Sequence, residues 1–227
     1  MFHPPTVKPS VVPNIYVDDV KIEDLNKATF LGLRINPTLN WGDQVDSVCG
    51  KVSKGIFVLG SLRDRVSLKV LKLVYHAHVV SHLRNLIIFW GHSSEAKRAF
   101  IFQKRAIRTV FSLSRTTSCV PFFNNFGVLT LPCIYIAECS MFVKKYPELF
   151  EKNSDVHSYN TRSNSNLRVL HSHNKAMFEK CPEFRFIHIY NKLPQAIKDV
   201  QNQKLFKCKL INFLKAKNYY SINDFLQ

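Results

Sequence analysis

The sequence predicts a mainly α-helical fold, with short β-strands at its N-terminus, then a helical bundle, then a helical C-terminal extension. Three observations carry this expectation. Apolar residues recur at spacings of three and four over several long stretches, the period of an amphipathic helix. Two short β-branched or aromatic runs, Ile15 to Val20 and Phe30 to Ile35, precede Pro37 and suggest two strands of a small sheet. The composition, 46% apolar with 12% aromatic over 227 residues, is enough to build a core and excludes wholesale disorder.

In chain order, the first 13 residues carry prolines 4, 5, 9 and 13 and no apolar period, so they form an extended lead-in. After the two strand runs, Trp41, Val45, Val48, Val52, Ile56 and Leu59 mark a first helix. A second helical run spans about Ser67 to Phe89, with Leu68, Leu71, Val74, Tyr75, His78 and Val79 on one side and Gly91 and Ser93 as punctuation. A third helix runs from Glu95 to about Phe111, with Ser93 or Ser94 as its N-cap. Residues 112–133 are rich in Ser, Thr and Asn with prolines at 121 and 132, which places a boundary there. Beyond it come helices from Ile134 to Lys145, about Glu183 to Leu193 and Leu205 to Lys217, with a long loop at 151–175. The chain divides on this reading into 1–36, 37–120 and 121–227.

Charge narrows the function. Thirty-two Lys and Arg against sixteen Asp and Glu leave +16, well beyond what solubility needs, and a polyanionic partner explains the excess. The excess begins late: residues 1–36 hold four basic and four acidic residues, 37–120 thirteen against four, and 121–227 fifteen against eight. Cysteines 49, 119, 133, 139, 181 and 208 include no CxxC pair, which argues against a zinc ribbon or disulfide framework and for reduced, mostly buried thiols. No apolar run approaches a membrane span or a signal segment, so the expected location is intracellular, nuclear or cytoplasmic, with no membrane partner.

The third helix concentrates the charge. At 100° per residue, Lys97, Arg98, Lys104, Arg105 and Arg108 fall within an arc of about 120°, and Ala96, Ala99, Phe100, Ala106, Ile107, Val110 and Phe111 lie opposite. Five cations with no anion on one face differ from the alternating signs of an ordinary solvated helix, so these five residues are the candidate nucleic-acid contacts. Arg63, Arg65, Lys69 and Lys72 are candidates to extend the patch. Phe89 and Trp90 have the chemistry to stack on bases, but an Ile-Ile-Phe-Trp run at a helix end reads first as core. His78 and His82, four apart, would need a third ligand such as His76 or Cys49 to hold a metal; no motif supplies one, and no metal or other cofactor is assigned.

Five short motifs occur in an order and spacing that carry a resemblance. They are Phe30-Leu31-Gly32-Leu33 leading to Leu39-Asn40-Trp41; Ile88-Phe89-Trp90-Gly91; Gln103-Lys104-Arg105-Ala106-Ile107-Arg108; Tyr159-Asn160-Thr161-Arg162; and Tyr190-Asn191-Lys192-Leu193-Pro194. Over roughly residues 14–215 the chain resembles the region downstream of the catalytic palm in non-LTR retrotransposon reverse transcriptases, the jockey-like and related elements. The resemblance implies that Phe30 to Leu33 corresponds to the primer-grip edge of the palm, that 37–120 is a thumb-like helical bundle, and that 121–227 is a C-terminal extension. It also implies RNA and DNA, the template-primer backbone, as partners. One position departs from the pattern: the family usually has Tyr-Gly where this chain has Asn85-Leu86.

Tyr16-Val17-Asp18-Asp19 spells the Tyr-x-Asp-Asp of these enzymes, whose paired carboxylates hold two metal ions for phosphoryl transfer. That chemistry needs a further carboxylate from an earlier strand, and no residue before Asp18 is acidic. In the family the pair also lies some tens of residues before the Phe-Leu-Gly strand, whereas here Asp19 and Phe30 are close. The expectation is a polar turn, with no catalytic residue assigned. Glu179, Glu183 and Lys180 are the local acidic and basic candidates for a terminal nuclease, and they match no nuclease pattern. The sequence therefore points to a truncated reverse-transcriptase fragment that binds nucleic-acid backbone and takes no small-molecule substrate. Two other readings stand beside it: a host-retained protein-interaction or structural module, and a decayed open reading frame without function.

Overall fold

The computed structural model describes residues 14–21, 25–156, 166–169 and 181–227. The proline-rich lead-in, the Tyr159 to Arg162 motif, Glu179 and Lys180 lie outside them, as does most of the 151–175 stretch. The fold is mainly helical, 63% helix against 6% strand, with two short antiparallel sheets followed by a helical bundle.

Each predicted strand is a hairpin. The first run folds back at Asp18-Asp19, pairing β1 (Tyr16–Val17) with β2 (Val20–Lys21) in the register Val17 to Val20. Both aspartates take positive φ, 48° and 60°, the backbone of a tight two-residue hairpin turn that Asp tolerates better than most residues. The second run folds back at Leu31-Gly32, φ 49° and 81°, pairing β3 (Ala28–Phe30) with β4 (Leu33–Ile35). The Asp18-Asp19 turn agrees with the expectation of a polar turn, whereas the second turn places Leu31 at a positive φ where Gly or Asn is usual, so each run expected as one strand is two short ones. Only the second hairpin docks. Leu33 is buried on α1 (Gly42–Leu62), the backbone N–H of Arg34 donates to the buried Gln44 Oε1 at 3.0 Å, and Lys27 pairs with Asp43 at 2.8 Å.

In α1 the predicted apolar period faces inward, with Val45, Val48, Val52 and Leu59 buried. The second run, expected as one helix, is broken into α2 (Leu68–Tyr75), a π turn at His76–Val80, α3 (Ser81–Arg84) and α4 (Ile87–Trp90). The π turn lies where two backbones nearly touch. Its backbone comes so near α1 that a Cβ on Gly55 would sit 2.6 Å from the His78 carbonyl oxygen, so only glycine admits this crossing. The later break falls at Leu86, which adopts a left-handed backbone, φ 51° and ψ 26°, between α3 and α4. Past α4, Gly91 lies against the next layer, where a Cβ would meet Tyr135 at 2.5 Å.

Helix α5 spans Ala96–Val110. Neither Ser93 nor Ser94 caps it by side chain; the Ser93 hydroxyl instead donates to the Trp90 carbonyl at 2.7 Å. The segment read as a boundary contains α6 (Val120–Phe126), with Pro121 in its first turn and Gly127 closing it at φ 62°. Helix α7 (Leu131–Lys145) begins three residues earlier than its apolar run suggested, because Thr130 accepts the Cys133 N–H and its hydroxyl donates to the Tyr219 carbonyl at 2.5 Å. Side chains around most of its circumference are buried, among them Tyr135, Ile136, Cys139 and Ser140. The chain then forms α8 (Asn153–Val156) and a strap in which Leu167 is pinned by both amide atoms of Asn191, each at 2.8 Å. Four helices close it: α9 (Pro182–Lys192), α10 (Gln195–Lys198), α11 (Gln203–Lys217) and α12 (Ile222–Leu226). Asn202 caps α11 and a Ser221–Asp224 capping box starts α12.

The buried side chains form one cluster from Leu33 to Phe225, and it runs through residue 120, where α3, α4 and α5 touch α7. Four of the six cysteines, 49, 119, 133 and 139, are buried free thiols. Among the described residues no single helix is long and apolar enough to cross a membrane; α6 and α7 reach that apolar content together across a 54° bend, and α7 is the interior of this bundle.

The strained Leu86 has a measurable consequence. A left-handed leucine costs about 1–2 kcal/mol, similar to what its half-buried side chain contributes by packing. Leu86→Gly should therefore change stability by under about 1 kcal/mol in urea denaturation, against about 2–5 kcal/mol for Leu83→Ala in the core beside it. A loss in Leu86→Gly as large as in Leu83→Ala would show that packing, and not the backbone, decides this position.

Candidate nucleic-acid interface

The rotation of α5 about its axis is set on its inner face. Gln103 is fully buried, and its Nε2 donates to the Leu129 carbonyl at 2.9 Å and to the Tyr75 hydroxyl oxygen at 3.0 Å. A carbonyl oxygen only accepts, so the amide must present its nitrogen there. Burial pushes the Tyr75 phenol up, opposed by this hydrogen bond, so Tyr75 stays neutral throughout the working pH range. With Ala99, Ala106, Ile107 and Val110 also buried, the opposite face of α5 looks outward.

Four of the five predicted contacts reach that outer surface without a carboxylate partner among the described residues. Lys97 is exposed. The Lys104 ammonium lies 4.8 Å above the Phe100 ring, and the exposed Arg105 guanidinium lies 4.9 Å from the Phe102 ring, so aromatic neighbours support both cations. Arg108 is half-buried and ties down the following loop by donating from Nη2 to the Thr117 carbonyl at 3.2 Å, so much of its role is structural.

Arg98 corrects the sequence reading of an anion-free face. It pairs with Asp46 on α1 and with Glu95 at 3.1 Å. Glu95, three residues earlier on the same predicted helix, was within reach of the sequence, whereas Asp46 arrives only through the packing of α1 on α5. Both arginines on this edge act across that interface: burial raises the Cys49 thiol on α1, and the nearby Arg98, opposed by Asp46, and then Arg105 pull it back down.

Sequence reasoning missed two residues here. Gln103 was a letter in a motif and proves to be the buried anchor. Ile101 projects from the middle of the cationic arc and is 44% exposed. The wheel alone would have found Ile101, since its angle falls among those of Lys97, Lys104 and Arg105. Of the proposed extensions, Arg63 joins this surface by donating to the Thr109 carbonyl at 3.5 Å, while Lys72 lies 5.8 Å over Phe126 in α6. Arg65 and Lys69 are exposed.

The remaining candidates fall into place as structure. Trp90 is completely buried, its indole N–H donating to the Asn85 carbonyl at 3.1 Å, so it is core and not a stacking platform. His78 is exposed on the π turn and His82 is half-buried on α3. Among the described residues no group of three His, Cys, Asp or Glu side chains could hold a metal ion. Asp18 and Asp19 occupy the exposed tip of the first hairpin. A second basic element exists in α11, where Lys204, Lys207, Lys209, Lys215 and Lys217 are exposed, but these are spread around most of its circumference instead of gathered in one stripe. Comparison with protein-family models, with curated proteins and with solved structures finds no match.

Proposed function

We propose that this chain is a fragment of a non-LTR retrotransposon reverse transcriptase that grips the backbone of an RNA–DNA duplex through α5 and carries no catalytic centre of its own. The observation that bears most weight is the outer face of α5. Lys97, Lys104 and Arg105 stand on one stripe free of carboxylate partners among the described residues, while Gln103 anchors the opposite face. Cations on a rigid helix neutralise phosphates and release counterions, which gives affinity without reading bases. A thumb that must slide along any template needs that property. The five ordered motifs supply the family, and Ile101 among the cations suits contact with the sugar edge of a strand.

The same reading assigns no role in phosphoryl transfer to Asp18 and Asp19. Placed at a solvent-facing hairpin tip, they have no third carboxylate beside them among the described residues. The isolated chain should show no primer extension with Mg²⁺ or Mn²⁺. Incorporation that disappears in Asp18→Asn or Asp19→Asn would overturn the non-catalytic assignment.

Binding is tested by fluorescence anisotropy on a mixed-sequence RNA–DNA hybrid across a salt series. Replacing Lys97, Lys104 and Arg105 with Gln should weaken binding for every sequence and flatten the slope of log K against log salt by about two to three units, at about 0.9 per duplex phosphate contact. Replacing Lys204, Lys209 and Lys217 on α11 removes the same charge and should change the slope much less. Equal losses in the two variants would mean diffuse electrostatics and no α5 site.

A further inference from the structure

A second cationic feature lies where two helices end together. Helices α1 and α5 run in the same direction: Arg98 pairs with Asp46 near their N-termini, and Arg63 reaches the Thr109 carbonyl near their C-termini. The chain leaves α5 through Ser112, at φ 53°, and passes Arg115. Between these segments is an open groove of about 760 Å³ lined by Arg63, Arg105, Arg108 and Arg115 over an aliphatic floor of Ile56 and Ile101. Among the described residues no acidic side chain lines it.

Arginines at helix C-termini have an ordinary explanation, which is to balance the partial negative charge of the exposed carbonyls. The charge count decides against that as the whole account. Two C-termini present about half a negative charge each, about one in total. Asp64 takes one further cation, in a two-pronged pair with Arg63 at 3.1 and 3.2 Å. Four guanidinium groups against these leave a surplus of about two positive charges. The hydrogen bonds leave donors to spare: Arg63 and Arg108 each give one N–H to a backbone carbonyl, and the buried Arg108 Nε has no acceptor among the described residues. Guanidinium forks match phosphate oxygens in pairs, and a floor of isoleucine suits a sugar better than a bare hydrated ion.

We propose that this groove is a second phosphate-binding site, which takes a phosphodiester strand and continues the α5 stripe past the end of the helix. The assignment rests on the reading of α5 as a backbone-binding face, and it adds Arg63 and Arg115, which lie outside α5. Free polyphosphate shares the anionic chemistry, so the test separates the two sources.

The full chain is titrated with a labelled mixed-sequence single-stranded oligonucleotide, and inorganic tripolyphosphate serves as competitor. Arg63→Gln with Arg115→Gln should lower strand affinity about tenfold and flatten the salt slope by about one unit, at about 0.7 per single-strand contact. Circular dichroism confirms folding. If the Arg63 change unfolds the chain, Arg115→Gln alone carries the test, since that side chain is exposed on the loop. Tripolyphosphate should compete poorly at equal phosphate concentration. Unchanged binding in the groove variant, with loss in Lys97→Gln/Lys104→Gln, overturns the groove and leaves the α5 reading standing. Loss in the groove variant alone overturns the α5 reading, and with it the proposal that the groove continues the α5 stripe. Tripolyphosphate that binds the wild type as tightly as the strand, and loses that affinity in the groove variant, overturns the assignment to a strand.

Discussion

The buried amide of Gln103 is the constraint on which the surface of α5 depends. A buried donor without access to water is costly unless it is bonded, and the Gln103 Nε2 bonds to two different elements, Tyr75 in α2 and Leu129 ahead of α7, while its Oε1 is buried with no partner among the described residues. Rotating α5 by one residue would strand the amide nitrogen as well, at a cost of about 1–3 kcal/mol. The helix is thus indexed from inside, and the outward display of Lys97, Lys104 and Arg105 follows. Specific geometry on the inner face supports sequence-independent chemistry on the outer one.

The periodicity of the sequence made much of this legible. Helices α5, α9 and α11 lie within a residue or two of where their apolar spacing put them, because each buries one stripe and exposes the other, and α1 runs on to Leu62 past its last marked position, Leu59. What failed depends on contacts that a one-dimensional pattern does not contain. The run from Ser67 to Phe89 keeps its apolar side throughout, yet the close approach of Gly55 to His78 accompanies a π turn, and Leu86 adopts a backbone usually reserved for glycine. The turn at Asp18-Asp19 was legible in its paired aspartates, and Gly32 marks the second; what the two β-rich runs did not show is that each folds back on itself as a hairpin, because pairing is not a property of the run.

The candidate site divides in the same way. Which residues are cationic, and that they share a face, is written in the spacing of α5. Which of them remain available is not. Asp46 removes Arg98 by arriving from a neighbouring helix, and Thr117 engages Arg108 by folding the next loop back on it. The gain is equally invisible in one dimension, since Arg63 and Arg115 meet Arg105 only because α1 and α5 run parallel and end together. The Asp18-Asp19 pair shows the converse, a four-residue match to a catalytic signature whose structure is a hairpin tip.

The central claim, that the outer face of α5 lies on nucleic-acid backbone, is tested most directly by proximity. A benzophenone amino acid installed at Ile101, which is exposed among the cations, should photo-crosslink to a mixed-sequence RNA–DNA hybrid, with a yield that falls as salt rises. The same group at Leu205 on α11, exposed to a similar degree, serves as the control and should yield little. Crosslinking at Leu205 equal to or above that at Ile101 would contradict the account and move the binding surface to the C-terminal helices.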